Sequence, residues 1–218
     1  MQPEQYDAWY QTERGAWIGG IEYRLLDRLL TPHSGETVLD VGCGTGYFTR
    51  CFSASAAVGW TVGADIDLAK AHYAAARGKA AYLVADAQRL PFADRSFDLV
   101  ISVTALCFMR DARRALHEML RVARRRVALG LLNRHSLLWL SKGRQGGRGA
   151  YRGAHWHTRR EVDHLFAALP ARNLSLRTAV MLPGGGRLAR WAEPALQRAA
   201  PCCGAFLVAA ADVVPKSH

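Results

Sequence analysis

Gly42, Gly44 and Gly46 fall at alternate positions in VLDVGCGTG (38–46), straight after an apolar run and close behind Asp40. Glycines at this density let a backbone turn sharply and lie against a ligand with no side chain between them. A helix starting near Tyr47 would offer free N–H groups to an anionic part of that ligand. Two more carboxylates sit where apolar runs end. Asp65 follows the loop at a distance of about twenty residues, where a carboxylate can accept both hydroxyls of a ribose diol. Asp86 closes the next run. Asp40, Asp65 and Asp86 are thus expected along one rim, a pattern that capping of the following helices accounts for at one position but not at three.

The spacing separates two cofactors. A dinucleotide carries a pyrophosphate and favours G-x-G-x-x-G. Here the pattern is G-x-G-x-G with Asp40 beside it, and that carboxylate would repel a pyrophosphate. It suits a ligand bearing an amine and a sulfonium, which is S-adenosylmethionine.

The elements that must hold these groups alternate. Apolar runs at 37–41, 60–65, 80–86, 97–103 and 126–133 predict strands. Helical periodicity is expected from Tyr47 to about Ala56, from Leu68 to Arg77 before Gly78, and from Ala112 to Val122 behind an Asp111 cap. Ile21, Leu25, Leu26, Leu29 and Leu30 mark an earlier helix stopped by Pro32. A helix at 158–169, a strand at 174–181, a helix around Leu188–Ala199 and a strand at 205–213 complete the chain. Strands that read as continuous apolar runs and alternate with helices predict an α/β fold. The sheet is Rossmann-like, doubly wound and seven-stranded, with helices on both faces.

The length of 218 residues is that of one domain with an ample core. Residues 1–35 read as a helical lid, 36–133 as the cofactor-binding core, 134–157 as a mobile glycine- and arginine-rich insertion able to cap a substrate, and 158–218 as the elements that finish the sheet. Cys43, Cys51, Cys107, Cys202 and Cys203 are odd in number and form no C-x-x-C pair, so a reduced, cytoplasmic setting is expected. The N-terminal stretch lacks a basic segment followed by an apolar one, and no apolar run reaches the roughly 18 residues of a membrane span. The formal charge of +11 comes nearly all from arginine, with Arg110, Arg113, Arg114, Arg121, Arg124, Arg125 and Arg126 in one cluster. Such a field attracts anions: an acidic small molecule, an acidic membrane surface or nucleic acid.

Four stretches, VLDVGCGTG (38–46), VGADID (62–67), VADAQRLPFADRSFDLVIS (84–102) and YDAWYQTERGAW (6–17), resemble the class I S-adenosylmethionine-dependent methyltransferases, of the type that includes quinone-biosynthesis methyltransferases. The resemblance implies that the last strand is antiparallel. It implies that Asp40 and the Gly42–Cys43–Gly44–Gly46 loop hold the methionine part, and that Asp65 binds the ribose with Ile66 flanking the adenine. Asp86 and the Ala87 amide would meet the adenine edge, and Val103 and Thr104 would border the methyl group. Tyr6, Tyr10 and Trp17 would close over the cofactor, packing of a terminal helix on the core being the alternative. S-adenosylhomocysteine would be the product.

Methyl transfer from a sulfonium is an in-line displacement that needs alignment and exclusion of water rather than a metal. His135, His155, His157 and Tyr151 are the candidate bases, and none is assigned. His155 and His157 lack a nearby carboxylate or cysteine in sequence, so no metal is expected. The acceptor is read as a small molecule, an acidic one among the options. An RNA-modifying methyltransferase and a non-catalytic cofactor-binding protein are the alternatives.

Overall fold

Seven strands and seven α-helices form among residues 2–214, the residues this computed structural model describes. Met1 and residues 215–218, at the two ends of the expected domain, lie outside them. Helices α1 (Pro3–Trp9) and α2 (Glu13–Leu30) precede β1 (Glu36–Val41), and α3 (Tyr47–Ser53), β2 (Val58–Asp65), α4 (Leu68–Ala75) and β3 (Ala81–Val84) follow. Then come β4 (Phe97–Val103), α5 (Ala112–Val122), β5 (Ala123–Leu132), α6 (Arg159–Phe166), β6 (Ala171–Ala179), α7 (Arg187–Ala199) and β7 (Phe206–Val213).

The strands lie in one sheet, in the order β3-β2-β1-β4-β5-β7-β6. The first five pair in parallel, and β7 runs antiparallel between β5 and β6, as expected. Winding runs outward from β1 to β3 and then restarts at β4, on the other side of β1. The crevice at the carboxyl ends of β1 and β4 is therefore the topological switch point, where such sheets bind ligands. Central strands are buried on both faces: Val38, Leu39, Leu99, Ile101, Val127 and Leu129 are wholly inaccessible. Gly130 of β5 makes room for Phe206 of β7, whose ring occupies the space a side chain at Gly130 would need.

The amino-terminal region is two helices rather than one. Thr12 caps α2 by accepting from the Gly15 N–H at 3.0 Å, and a Cβ at Gly15 would collide with the Trp9 carbonyl, so the corner between the helices is tight. At its far end, α2 finishes on Thr31 in a left-handed conformation, φ 48°. Its last carbonyls are met by arginines of β5: Arg126 donates to Leu29 O at 2.6 Å, and Arg125 to Thr31 O at 3.0 Å. Cations at a helix C-terminus complement its dipole.

Most of the arginine cluster is spent in this way. Arg121 binds Glu118 and Asp94, Arg124 binds Asp98, Arg125 binds Glu36 and Arg126 binds Asp212. Arg113 donates to Ala167 O and Arg114 to Gln88 O. The charge that reads as an anion-attracting field in the sequence is thus largely structural glue, and of the cluster Arg110 is the member that reaches the cavity described below.

Several details differ from the sequence reading. Strand β3 stops at Val84, which leaves Asp86 in the turn beyond it. Strand β5 starts at Ala123, directly after α5, because the arginines of its first half pair with partners across the sheet edge. The segment 134–157 is anchored at both ends: Arg134 N–H donates to His157 O, His157 N–H to Leu132 O, and His155 N–H to Cys107 O at 2.7 Å. Trp156 and His157 are buried.

Candidate functional site

At the end of β1 the Gly42 and Cys43 N–H groups both donate to Ala64 O, at 2.7 and 3.1 Å, which pins the loop to β2. The three loop glycines have φ of 74°, 56° and 79°, a region where side chains are strained. Their roles differ. A Cβ on Gly42 would lie 2.3 Å from the Ala105 Cβ, and one on Gly46 would lie 2.7 Å from the Tyr82 hydroxyl, so both are closed by packing. At Gly44 nothing stands within 4 Å of that position, and the residue lines a cavity of about 800 Å³.

Asp65 closes β2 and is only 7% exposed. Its Oδ2 accepts from the Gly44 N–H at 2.7 Å and its Oδ1 from the Asp67 N–H at 2.9 Å. Each carboxylate oxygen keeps one further lone pair for a ligand on the cavity side. Asp86 also lines the cavity; its Oδ1 accepts from the Gln88 N–H at 2.9 Å, which fixes the turn after β3. Between them Ile66, 69% exposed, and Ala87 border a slot suited to a flat ring.

Asp40 does not join this rim. Strand alternation turns it toward α3, where it is 1% exposed and accepts from the Thr49 hydroxyl at 2.7 Å. Burial, countered in part by that hydrogen bond, pushes its carboxyl up to about 7. The rim of three acids expected from the sequence is therefore a pair, Asp65 and Asp86, with Asp40 bracing the helix behind the loop. Its neutral form is favoured by folding, so the stability it contributes is whole below its ordinary value of 3.8 and is lost as pH rises through about 7. Asp40→Asn keeps the acceptor for Thr49 and removes the charge. Thermal melts should show its stability flatter than wild type across this window, and higher at pH 8 by on the order of a few kcal/mol.

The opposite wall comes from β4 and from elements that carry no sequence pattern. Val103 and Thr104 line it, with Thr104 held at φ 56° by donation of its N–H to Gly130 O at 2.7 Å. The 3₁₀ turn Ala105–Phe108, Met109 and Arg110 continue the wall. Tyr6 of α1 and Tyr10 just after it also line the cavity, and Gly149 and Ala150 reach in from the segment 134–157. Trp17 and Gly46 are not part of the lining; Trp17 packs half-buried on the core with Arg190 over its ring. Sequence reading missed Tyr47, Phe48, Lys70, Gln88, Phe108, Met109 and Arg110 as lining residues. Only Tyr47 and Phe48 carried a signal, since they directly follow the glycine loop.

Arg50 fastens the lid to the loop. It donates to Thr45 O at 2.6 Å and to Asp7 Oδ1 at 2.7 Å, with Asp7 nearly buried. Arg50→Ala should free α1 and weaken binding in the cavity by roughly 1–2 kcal/mol, the worth of hydrogen bonds to a charged group. Faster amide exchange in residues 3–10 would accompany the loss.

None of His135, His155, His157 and Tyr151 lines the cavity. His155 and His157 meet edge to face at 4.5 Å, and His157 lies 3.9 Å from the Cys107 sulfur. Burial, with His155 beside it, pushes His157 down to about 4. The pair anchors a segment. Among the described residues no group of three His, Cys, Asp or Glu side chains gathers to hold a metal, and no helix is long and apolar enough to cross a membrane.

An open backbone cradle at Gly44, a carboxylate pair with spare lone pairs and an exposed apolar slot fit a nucleoside with a short charged tail, as S-adenosylmethionine has. Comparison with known proteins agrees. The family described as methyltransferase domain matches residues 39–129. An O-methyltransferase from Aspergillus sclerotiorum is 40% identical over 44% of this chain and 38% of its own length. A demethylmenaquinone methyltransferase from Roseiflexus is 38% identical over 50% of the chain and 49% of its own. The matched stretch thus spans half or less of either relative. A solved SAM-dependent methyltransferase from Thermotoga maritima covers 96% of this chain and 94% of its own with TM-score 0.74 at 22% identity, a likeness of fold. Residues 39–129 thus match a methyltransferase domain, and the chain shares the fold of a solved S-adenosylmethionine-dependent methyltransferase.

Proposed function

We propose that this chain transfers a methyl group from S-adenosylmethionine to a small-molecule acceptor held in the same cavity. The observation that carries this reading is the cavity of about 800 Å³ at the switch point, whose lining joins the Gly44 backbone, Asp65, Ile66 and Asp86 to Tyr6, Thr104, Phe108 and Arg110. When bound, S-adenosylmethionine supplies a methyl group already activated on a sulfonium, open to in-line displacement. The chain's own work is then to orient and to exclude water. Asp65 and the Ala87 amide fix the nucleoside end, and Asp86 orders the turn that closes the slot. Gly42, Cys43 and Gly44 carry the tail on main chain, while Tyr6 and Tyr10 cover it from α1. Thr104, with its backbone set at positive φ, presents the end of β4 to the reacting region.

A small acceptor agrees with the size of the space, and with a relative whose name gives demethylmenaquinone as its acceptor. Pairing of Arg121, Arg124, Arg125 and Arg126 with carboxylates inside the fold supports a small acceptor over RNA. Calorimetric titration tests the reading: S-adenosylhomocysteine should bind in the micromolar range and NADH should not. NADH binding without S-adenosylhomocysteine binding overturns it.

A further inference from the structure

Four charged residues line the cavity: Asp65, Lys70, Asp86 and Arg110. Three of them have partners. Asp65 holds the Gly44 and Asp67 N–H groups, Asp86 accepts from the Gln88 N–H, and Lys70 lies 3.4 Å from the Asp67 carboxylate. The Arg110 side chain has no hydrogen bond or ion pair among the described residues. Charged groups next to it in the chain are already engaged. Asp111 accepts from the Arg114 N–H to cap α5, Arg113 donates to Ala167 O, and Arg114 donates to Gln88 O.

The order of the sheet sets Arg110 apart from the two carboxylates. Asp65 ends β2 and Asp86 follows β3, strands that lie on one side of β1, whereas Arg110 follows β4, on the other. The turn that leads to it is fixed to β5 and to the segment 134–157. Thr104 N–H donates to Gly130 O, Leu132 N–H to the Cys107 sulfur at 3.3 Å, and His155 N–H to Cys107 O. Beyond Arg110 the backbone enters α5 at Ala112. Two anchored elements thus hold the main chain on either side of an exposed guanidinium. The residues that lead to it along the cavity, Val103, Thr104, Ala105, Phe108 and Met109, carry no charge, and Phe108 is 51% exposed. A guanidinium keeps its charge at any working pH, and its planar fork matches the two oxygens of a carboxylate. Beside an apolar and aromatic wall it is a receptor for an acid with an apolar body.

We propose that Arg110 seats a carboxylate of the methyl acceptor, with the acceptor's apolar body against Phe108 and Met109. This deepens the methyl-transfer reading and rests on it. The acidic acceptor that the whole arginine cluster suggests in the sequence thereby comes down to the one member that reaches the cavity unpaired. Because Arg110 is open to water, its hold on an acid is screened by salt and gives a preference rather than an absolute requirement.

The test uses the full chain saturated with S-adenosylhomocysteine and titrated at neutral pH with 3-phenylpropionate, 3-phenylpropanol and 3-phenylpropylamine. At low salt the acid should bind roughly fivefold or more tighter than the alcohol, with the amine weakest. That margin should narrow at about 1 M salt. Arg110→Gln should erase the margin while S-adenosylhomocysteine affinity stays within about twofold, and Arg110→Lys should recover part of it. Arg148 and Arg152 flank Gly149 and Ala150 in the chain and are exposed, so they supply the comparison: Arg148→Gln and Arg152→Gln should each keep the margin. Equal binding of the three probes, no binding of the acid, an unchanged margin in Arg110→Gln, or its loss in either comparison variant overturns the assignment. So does a loss of S-adenosylhomocysteine affinity in Arg110→Gln, which would give Arg110 to the donor's own carboxylate. If the wild type fails to bind S-adenosylhomocysteine, the methyl-transfer reading falls as well; if it binds and the acid shows no margin, only the acceptor assignment falls.

Discussion

Gly44→Val is expected to abolish S-adenosylhomocysteine binding, by more than about 100-fold, while the protein stays folded. Nothing lies within 4 Å of where the new Cβ would go, so no packing is disturbed. That same open space is the cavity wall, and a branched side chain there fills the surface on which the ligand's tail rests. The residue also sits at φ 56°, where a non-glycine costs roughly 1–2 kcal/mol and a β-branched one more. Any relaxation to a negative φ swings the Gly44 N–H away from Asp65 and undoes the loop's second anchor. A thermal melt lowered by only a few degrees together with normal calorimetric affinity would show that the loop does not touch the ligand. Gly46→Val is the contrasting variant. There the side chain meets the Tyr82 hydroxyl, and the expected result is a destabilised protein rather than a folded non-binder.

Asp65→Ala should weaken S-adenosylhomocysteine by about 2–4 kcal/mol. Loss of charge-assisted bonds to a diol accounts for roughly 1.5–3 kcal/mol of this. The rest comes from the carboxylate's internal duties, because its removal strands the Gly44 and Asp67 N–H groups and lets the loop drift from β2. Asp65→Asn separates the two parts: its one carbonyl oxygen can still accept from Gly44 or from the diol, and it should fall between alanine and wild type. Asp86→Ala is expected to cost less, since that side chain is exposed and its bonds to Gln88 are local. Asp65→Ala binding as wild type would remove the ribose assignment, and a larger loss from Asp86→Ala would exchange the two roles.

What the sequence by itself determined is whatever repeats locally. Apolar runs of strand length, glycines that need positive φ and the cap at Asp111 all act within a few residues, and each stands in the structure where those residues predict it. Parallel order followed, because strand–helix alternation leaves few ways to bury both faces of a sheet, whereas the antiparallel final strand was an implication of the family resemblance. Asp65, Ile66 and the glycine loop were legible because strand ends and switch points are set by that same alternation. Tertiary structure alone decided which way each side chain faces once strands are in register. Asp40 and Asp65 look alike in the chain and fall on one face of the sheet, yet Asp40 is level with Gly63, two residues short of Asp65, so the first is buried behind the loop and the second reaches the cavity. The arginine cluster shows the same limit, since the partners of Arg121, Arg125 and Arg126 include residues 27 to 89 positions away.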